Sequence, residues 1–131
     1  MKLRFASLVA AAVMATAAPA LADLVVPNLS YRTGPYAANG TQYADGFNDY
    51  FTLLNERDGG IGGQKIVVPE CETAYNTEKG VECYESTKGS GALVYNPFST
   101  GITYQLIPKA TADKIPLYTP GYGRTSAQNG K

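Results

Sequence analysis

The sequence predicts an α/β fold: an open parallel sheet with helices on both faces, in the order β-α-β-α-β-α-β. Three observations lead there. Short apolar bursts alternate along the chain with stretches of helical period. The connections between them are short and rich in Gly, Pro and Asn. The burst Gly91 to Asn96, "GALVYN", is apolar along its length, as strands covered on both faces are. Strands joined by helices in right-handed crossovers assemble into such a sheet.

Asp23 to Leu29, "DLVVPNL", reads as a first strand interrupted by Pro27, as happens when a strand is short or bent. Tyr43, Phe47, Tyr50, Phe51 and Leu54 then fall on one face of an amphipathic helix and are expected on its core side. Asn55 to Asp58 is a polar helix end, and Gly59-Gly60 supplies the positive φ of a helix C-terminus. The run Gly59 to Gly63 follows a helix and precedes a strand, the reverse of a dinucleotide-binding loop. "QKIVVPE", Gln64 to Glu70, is the second strand. Thr73 or Asn76 caps the next helix, which carries Val81, Cys83 and Tyr84 and closes at Lys88-Gly89. "GALVYN" is the third strand. Ser99-Thr100-Gly101 opens a third helix bearing Ile102, Leu106 and Ala110, and Lys114 to Tyr118 is the fourth strand.

Residues 1–22, "MKLRFASLVAAAVMATAAPALA", are set aside as a secretory signal. Lys2 and Arg4 precede an apolar run, Leu8 to Ala18, and a small-x-small cleavage site at Ala20-Leu21-Ala22. The mature chain then begins at Asp23, with nine basic against eleven acidic side chains. No basic excess exists to neutralise phosphates, so nucleic acid is excluded as a partner. No further apolar run is long enough to span a bilayer. No closing element follows Tyr118, so residues 23–131 read as the N-terminal, incomplete part of a first α/β lobe. Produced alone, such a part would leave apolar faces uncovered and be poorly stable.

Cys71 and Cys83 are the two cysteines, and in an oxidising compartment an even count favours a disulfide. Two free thiols or half of a metal site are the alternatives. The chain has no histidine and no C-x-x-C pair, and neither a metal nor a cofactor is expected.

Open α/β sheets bind ligands outside the carboxyl ends of their strands, where strand order reverses. Three segments occupy such positions: 31–41, 96–101 and 119–125. They offer Tyr31, Tyr36, Asn39, Thr41, Asn96, Phe98, Ser99, Thr100, Tyr122 and Arg124, with glycines that allow close backbone approach. None of these is an obvious general acid or base, which points away from catalysis. Ser99-Thr100-Gly101 places a helix N-terminus and two hydroxyls where an anion would sit, although Ser99 or Thr100 acting only as an N-cap explains the same residues. Phe98, Tyr36 and Tyr122 would wall an apolar or planar ligand body. Tyr43, Tyr50 and Tyr84, at helical spacing, are expected to be packing residues.

A family likeness is carried by the signal, the β1 loop "TGPYAANG", the helix "YADGFNDYFTLLNERDGGIGGQKI", "VVPECET" and "YNPFSTGITYQLIPKATADKIPLYTP". From about Leu24 to Thr125 the chain resembles the periplasmic solute-binding proteins of ABC transporters, of the leucine/isoleucine/valine-binding type. The run "NERDGGIGGQKI" carries it most strongly. The resemblance implies a type I periplasmic binding protein with two lobes closing on one ligand. It implies ligand contacts at Pro97, Phe98, Ser99 and Thr100 and at Gly121, Tyr122 and Gly123, with Tyr36 closing the side. The family's cysteine pair matches at Cys71 only, so a Cys71–Cys83 bond is not simply inherited. Asn96-Pro97-Phe98 and bulky Tyr122 with charged Arg124 depart from the family's small and hydroxylated residues. They suit a ligand larger, flatter or more anionic than leucine. The function implied is capture of an amino acid, or a similar small polar or aromatic carboxylate or amide, for delivery to the permease subunits of an ABC importer in the periplasm. The alternative is a periplasmic ligand-sensing ectodomain partnered with a signalling protein. No enzyme activity is expected.

Overall fold

A computed structural model of the protein describes residues 22–120. The first predicted strand is two pieces, β1 (Leu24–Val25) and β2 (Asn28–Ser30), parted at Pro27. The second is likewise split at Pro69 into β3 (Ile66–Val67) and β4 (Glu70–Glu72). Proline brings no N–H to a ladder, so each break falls where sequence chemistry puts it. β1 pairs in parallel with β3 and β2 with β4, setting Leu24 opposite Ile66 and Leu29 opposite Cys71. Main-chain bonds bridge the breaks, Val26 donating to the Val67 carbonyl at 2.9 Å and Asn28 to that of Pro69 at 3.0 Å.

On its other side the β1–β2 line meets the 92–96 segment, through parallel bridges of Val25 with Ala92 and Asn28 with Asn96. Tyr95 in turn bridges to Leu117. The order across the sheet is therefore second, first, third, fourth, and it reverses between the first and third segments. The predicted third and fourth strands are reduced to these bridges. Pro97 ends one and Pro116 interrupts the other, while Lys114, expected to open the fourth strand, instead closes a helix at φ 58°. Leu93 is 49% exposed, so the third segment is not covered on both faces as its composition suggested.

The helices follow their sequence signals closely. α1 (Ala37–Arg57) stops where Gly60, at φ 92°, turns its N–H back to the Leu54 carbonyl at 3.1 Å. A Cβ on Gly60 would lie 1.8 Å from the Gln64 carbonyl oxygen, so the turn admits only glycine. Asn55 near the end of α1 clasps β3, its amide donating to the Ile66 carbonyl at 2.7 Å and accepting the Ile66 N–H at 2.8 Å. α2 (Thr77–Thr87) is capped by Asn76, which accepts from the Lys79 N–H at 3.0 Å. A 3₁₀ turn, Lys88–Ser90, carries it past the expected stop to left-handed Gly91. α3 (Thr100–Asp113) is capped by Ser99.

α2 and α3 share one face of the sheet, and the core lies there: Leu29, Cys83, Tyr84, Tyr95, Ile102 and Leu106 are buried together. Cys71 and Cys83 are disulfide-bonded with Cα atoms 5.7 Å apart, so the expected pair tethers β4 to α2. At the rim of this core the Tyr84 hydroxyl donates to Asp113 at 2.8 Å, and Lys88 bridges Asp113 and Glu85, each at 2.8 Å.

α1 lies on the opposite face and corrects the amphipathic reading. Its buried residues are Gly40 and Ala44. Tyr43, Phe47, Phe51 and Leu54 are only partly covered and Tyr50 is 57% exposed. Periodicity grouped the stripe correctly, but the described residues do not enclose it. Among the described residues, no helix is long and apolar enough to cross a membrane.

Candidate functional site

The ends of the first, second and third strand segments each contribute an aromatic ring to one place. Tyr31 follows β2, Tyr75 follows β4, and Phe98 follows the 92–96 segment, while Tyr36 and Tyr43 come from the start of α1. Together with Asn39 and Gln42 they line a cleft of about 430 Å³. It opens at the carboxyl ends of the first and third segments, where the strand order reverses, the position at which open α/β sheets hold ligands.

The rings are mutually ordered. Phe98 lies flat on Tyr43, centroids 3.8 Å apart and planes within 1°, and also runs nearly parallel to Tyr31 at 5.9 Å. Tyr75 meets Tyr31 edge-on at 5.0 Å and tilts against Tyr36 at 4.5 Å. Burial holds the Tyr43 phenol well above its ordinary pKa, and among the described residues the hydroxyl has no hydrogen-bond partner.

Backbone conformation aims two of these rings. Phe98 has φ 47°, a left-handed value uncommon for a bulky residue, and its N–H is received by the Asn96 side chain at 3.3 Å. Ala74 and Tyr75 are consecutively left-handed, at φ 52° and 60°. Thr73 anchors them, its hydroxyl donating to the Ser30 carbonyl at 2.8 Å and accepting from the Tyr75 N–H at 3.2 Å. Residues held this way cluster at functional sites, where the surroundings offset the strain.

Gly40 sets how closely α1 approaches. A Cβ there would fall 2.0 Å from the Tyr31 carbonyl oxygen and 2.2 Å from its ring. With hydrogen in its place, the helix lies against the strand end and brings Tyr43 beside Tyr31 and Phe98.

Beneath the cleft, Glu72 holds two loops together. Its carboxylate accepts the Arg32 N–H at 2.8 Å, the Thr33 hydroxyl at 3.0 Å, the Ala74 N–H at 2.8 Å and the Ser30 hydroxyl at 3.1 Å. Partial burial pushes this carboxyl up, but the donated hydrogen bonds outweigh it and its pKa is lowered. Arg32 forks between Glu70 and Asp45, and Asn48 adds a 2.9 Å bond to Glu70. The Arg32 hydrogen bond holds the Glu70 carboxyl down at about 2.

Of the residues singled out from sequence, Tyr31, Tyr36, Asn39 and Phe98 line the cleft. Pro97 and Ser99 are buried behind it, and Thr100 is partly covered. The Ser99 hydroxyl serves as the helix cap, accepting the Ile102 N–H at 3.5 Å, and its carbonyl accepts the Thr103 hydroxyl at 2.7 Å. Gly121, Tyr122 and Gly123 lie outside the described residues. Tyr43, expected as packing, is a wall of the cleft. Tyr75 and Gln42 were missed altogether, and only their proximity to strand-end segments could have marked them.

The model for a periplasmic binding protein matches residues 23–131. The chain belongs to the periplasmic binding protein family. Among curated relatives, Leu/Ile/Val-binding protein homolog 3 of Brucella melitensis is 30% identical over 92% of this chain and 33% of its own length. The Leu/Ile/Val-binding protein BraC3 of Rhizobium johnstonii is 28% identical over 82% of this chain and 29% of its own. The chain thus spans about a third of the length of these relatives. A solved structure described as an ABC transporter permease from the Pseudomonas fluorescens group is 46% identical, with TM-score 0.76 over 82% of this chain and 27% of that one. The substrate-binding protein LivJ of Streptococcus pneumoniae, solved with isoleucine, is 21% identical with TM-score 0.72 over 81% of this chain and 31% of its own, a likeness of fold. The α/β fold read from the sequence is therefore the periplasmic binding protein fold, and the aromatic cleft occupies its strand-end crevice.

Proposed function

We propose that this chain is the N-terminal part of the first lobe of an extracytoplasmic substrate-binding protein of an ABC importer, exported by residues 1–22. It captures an amino acid, or a similar small polar or aromatic carboxylate or amide, and hands it to the permease. The observation that supports this best is the cleft itself. It sits where the strand order reverses and is lined by aromatic rings and neutral amides. No nucleophile and base are paired among its lining side chains, which suits binding without turnover. The names of the Leu/Ile/Val-binding relatives agree with a solute of this size.

Calorimetry of the complete exported protein against amino acids, aromatic acids, urea and short amides tests the proposal. Micromolar or tighter binding of one solute, without turnover, is expected. Silence across that whole panel would overturn it.

A further inference from the structure

Resting on the reading of the cleft as the solute site, we infer that Thr73 is a positioning residue of that site: its buried hydroxyl fixes the ring of Tyr75 and, through it, that of Tyr36. Ala74 and Tyr75 are consecutively left-handed, at φ 52° and 60°, and neither is a residue type that favours such a turn. A Cβ makes this conformation unfavourable, so something outside the two residues has to hold it.

Thr73 is that hold. It is fully buried, and each of its polar groups is engaged. Its N–H and its hydroxyl both donate to the Ser30 carbonyl at 2.8 Å. The same hydroxyl accepts the Tyr75 N–H at 3.2 Å, and the Thr73 carbonyl accepts that of Asn76 at 2.8 Å, closing the turn around Ala74 and Tyr75. One oxygen thereby links the end of β2 to the backbone under the Tyr75 ring. The loop after β2 is fitted to this turn, since a Cβ on Gly34 would lie 2.5 Å from the Ala74 carbonyl oxygen.

Two walls of the cleft depend on the result. Tyr75 stands edge-on to Tyr31 at 5.0 Å. Tyr36 is 52% exposed, and among the described residues the one ring it meets is that of Tyr75, at 4.5 Å. With Tyr75 back in a right-handed or extended conformation, its Cβ would point elsewhere and Tyr36 would lose the ring it leans on. A threonine that served packing alone would act through its methyl group. One that positions Tyr75 acts through its hydroxyl.

The test uses the complete exported protein. Wild type is titrated calorimetrically with the amino acids, benzoate, urea and acetamide, and the tightest binder of that set is the probe for the variants. Thr73→Val keeps the shape and removes the hydroxyl, and probe affinity is expected to fall about tenfold. Thr73→Ser keeps the hydroxyl and should stay within about twofold of wild type. In a Tyr75→Ala background, Thr73→Val should cost less than about a further twofold, because the ring it positions is gone. Ala74→Val leaves the Thr73 side chain in place and opposes the left-handed turn with a β-branched residue. It should weaken the probe severalfold even where Thr73→Val does not fold, whereas Ala74→Gly should not. An equal loss from Thr73→Val with and without the Tyr75 ring, a loss in Thr73→Ser as large as in Thr73→Val, or unchanged affinity in Ala74→Val overturns the inference and leaves the solute-binding proposal standing. Silence of wild type across the whole set overturns both.

Discussion

The Glu72 carboxylate receives the main-chain N–H of Arg32 at 2.8 Å, joining the loop after β2 to the loop after β4. Those loops carry Tyr31 and Tyr36 on one side and Tyr75 on the other, so this bond holds the cleft's walls in register. Glu72→Ala removes the shared acceptor from several donors at once. We expect a loss of about 1–2 kcal/mol in stability and a roughly tenfold loss in ligand affinity. Denaturant melts and calorimetry on the complete protein check both, and unchanged affinity would show that the loops hold themselves.

Acid should loosen the same region. Glu70 is held at about 2 by its hydrogen bond to Arg32, against an ordinary value of 4.5, and the pKa of Glu72 is lowered too. A carboxylate with a depressed folded pKa adds stability that is fully present above pH 4.5 and drains away as pH falls towards 2. The melting temperature should therefore fall across that window. Arg32→Met should lower it at neutral pH and flatten its acid limb. A parallel downward shift at every pH would exclude Glu70 as the source.

The Cys71–Cys83 bond spans 12 residues and joins β4 to α2 directly beneath the Tyr75 loop. Closing a loop of this size stabilises by roughly 3 kcal/mol through the unfolded chain. Replacing both cysteines with serine should cost about 2–4 kcal/mol in denaturant unfolding. In the wild-type protein a reductant should produce the same shift, and should produce none in the double variant.

Gly40→Ala is expected to be far more damaging than its size suggests. The added methyl would meet the main-chain carbonyl of Tyr31 at 2.0 Å, and backbone directly following a strand gives little. We expect a cost of about 3 kcal/mol, with α1 lifted and ligand affinity reduced more than tenfold. Gly46→Ala on the same helix meets nothing within 4 Å and should be neutral or slightly stabilising, which makes it the control.

Tyr36 stands 52% exposed, so its side chain contributes little to the core. Tyr36→Ala should leave the melting temperature within a few degrees of wild type and weaken ligand binding by about tenfold. A variant that melts early would recast Tyr36 as a structural residue.

Much of this was legible in residues 23–120. Helix caps at Asn76 and Ser99, the Gly60 turn and the position of Pro27 each express a local rule, and the structure obeys them. The short third and fourth strands were overread because apolar runs promise ladders that Pro97 and Pro116 then curtail. Tyr75 was invisible because left-handed backbone is signalled by Gly or Asn, and here the Thr73 hydroxyl, two residues before it, holds the turn. For α1, periodicity told which side chains share a face but not what covers them. Tyr43 went to the cleft and Tyr50 stayed outside.

The strand order also bears on when the site comes into being. Tyr43 and Phe98 belong to segments that meet only after the third has docked beside the first, a pairing distant along the chain and slow to form. Their stack is thus a gauge of assembly. A nascent chain whose third segment has not yet arrived leaves the tyrosines of the cleft without Phe98 to pack on, and exposed rings of that kind favour sticking to neighbours.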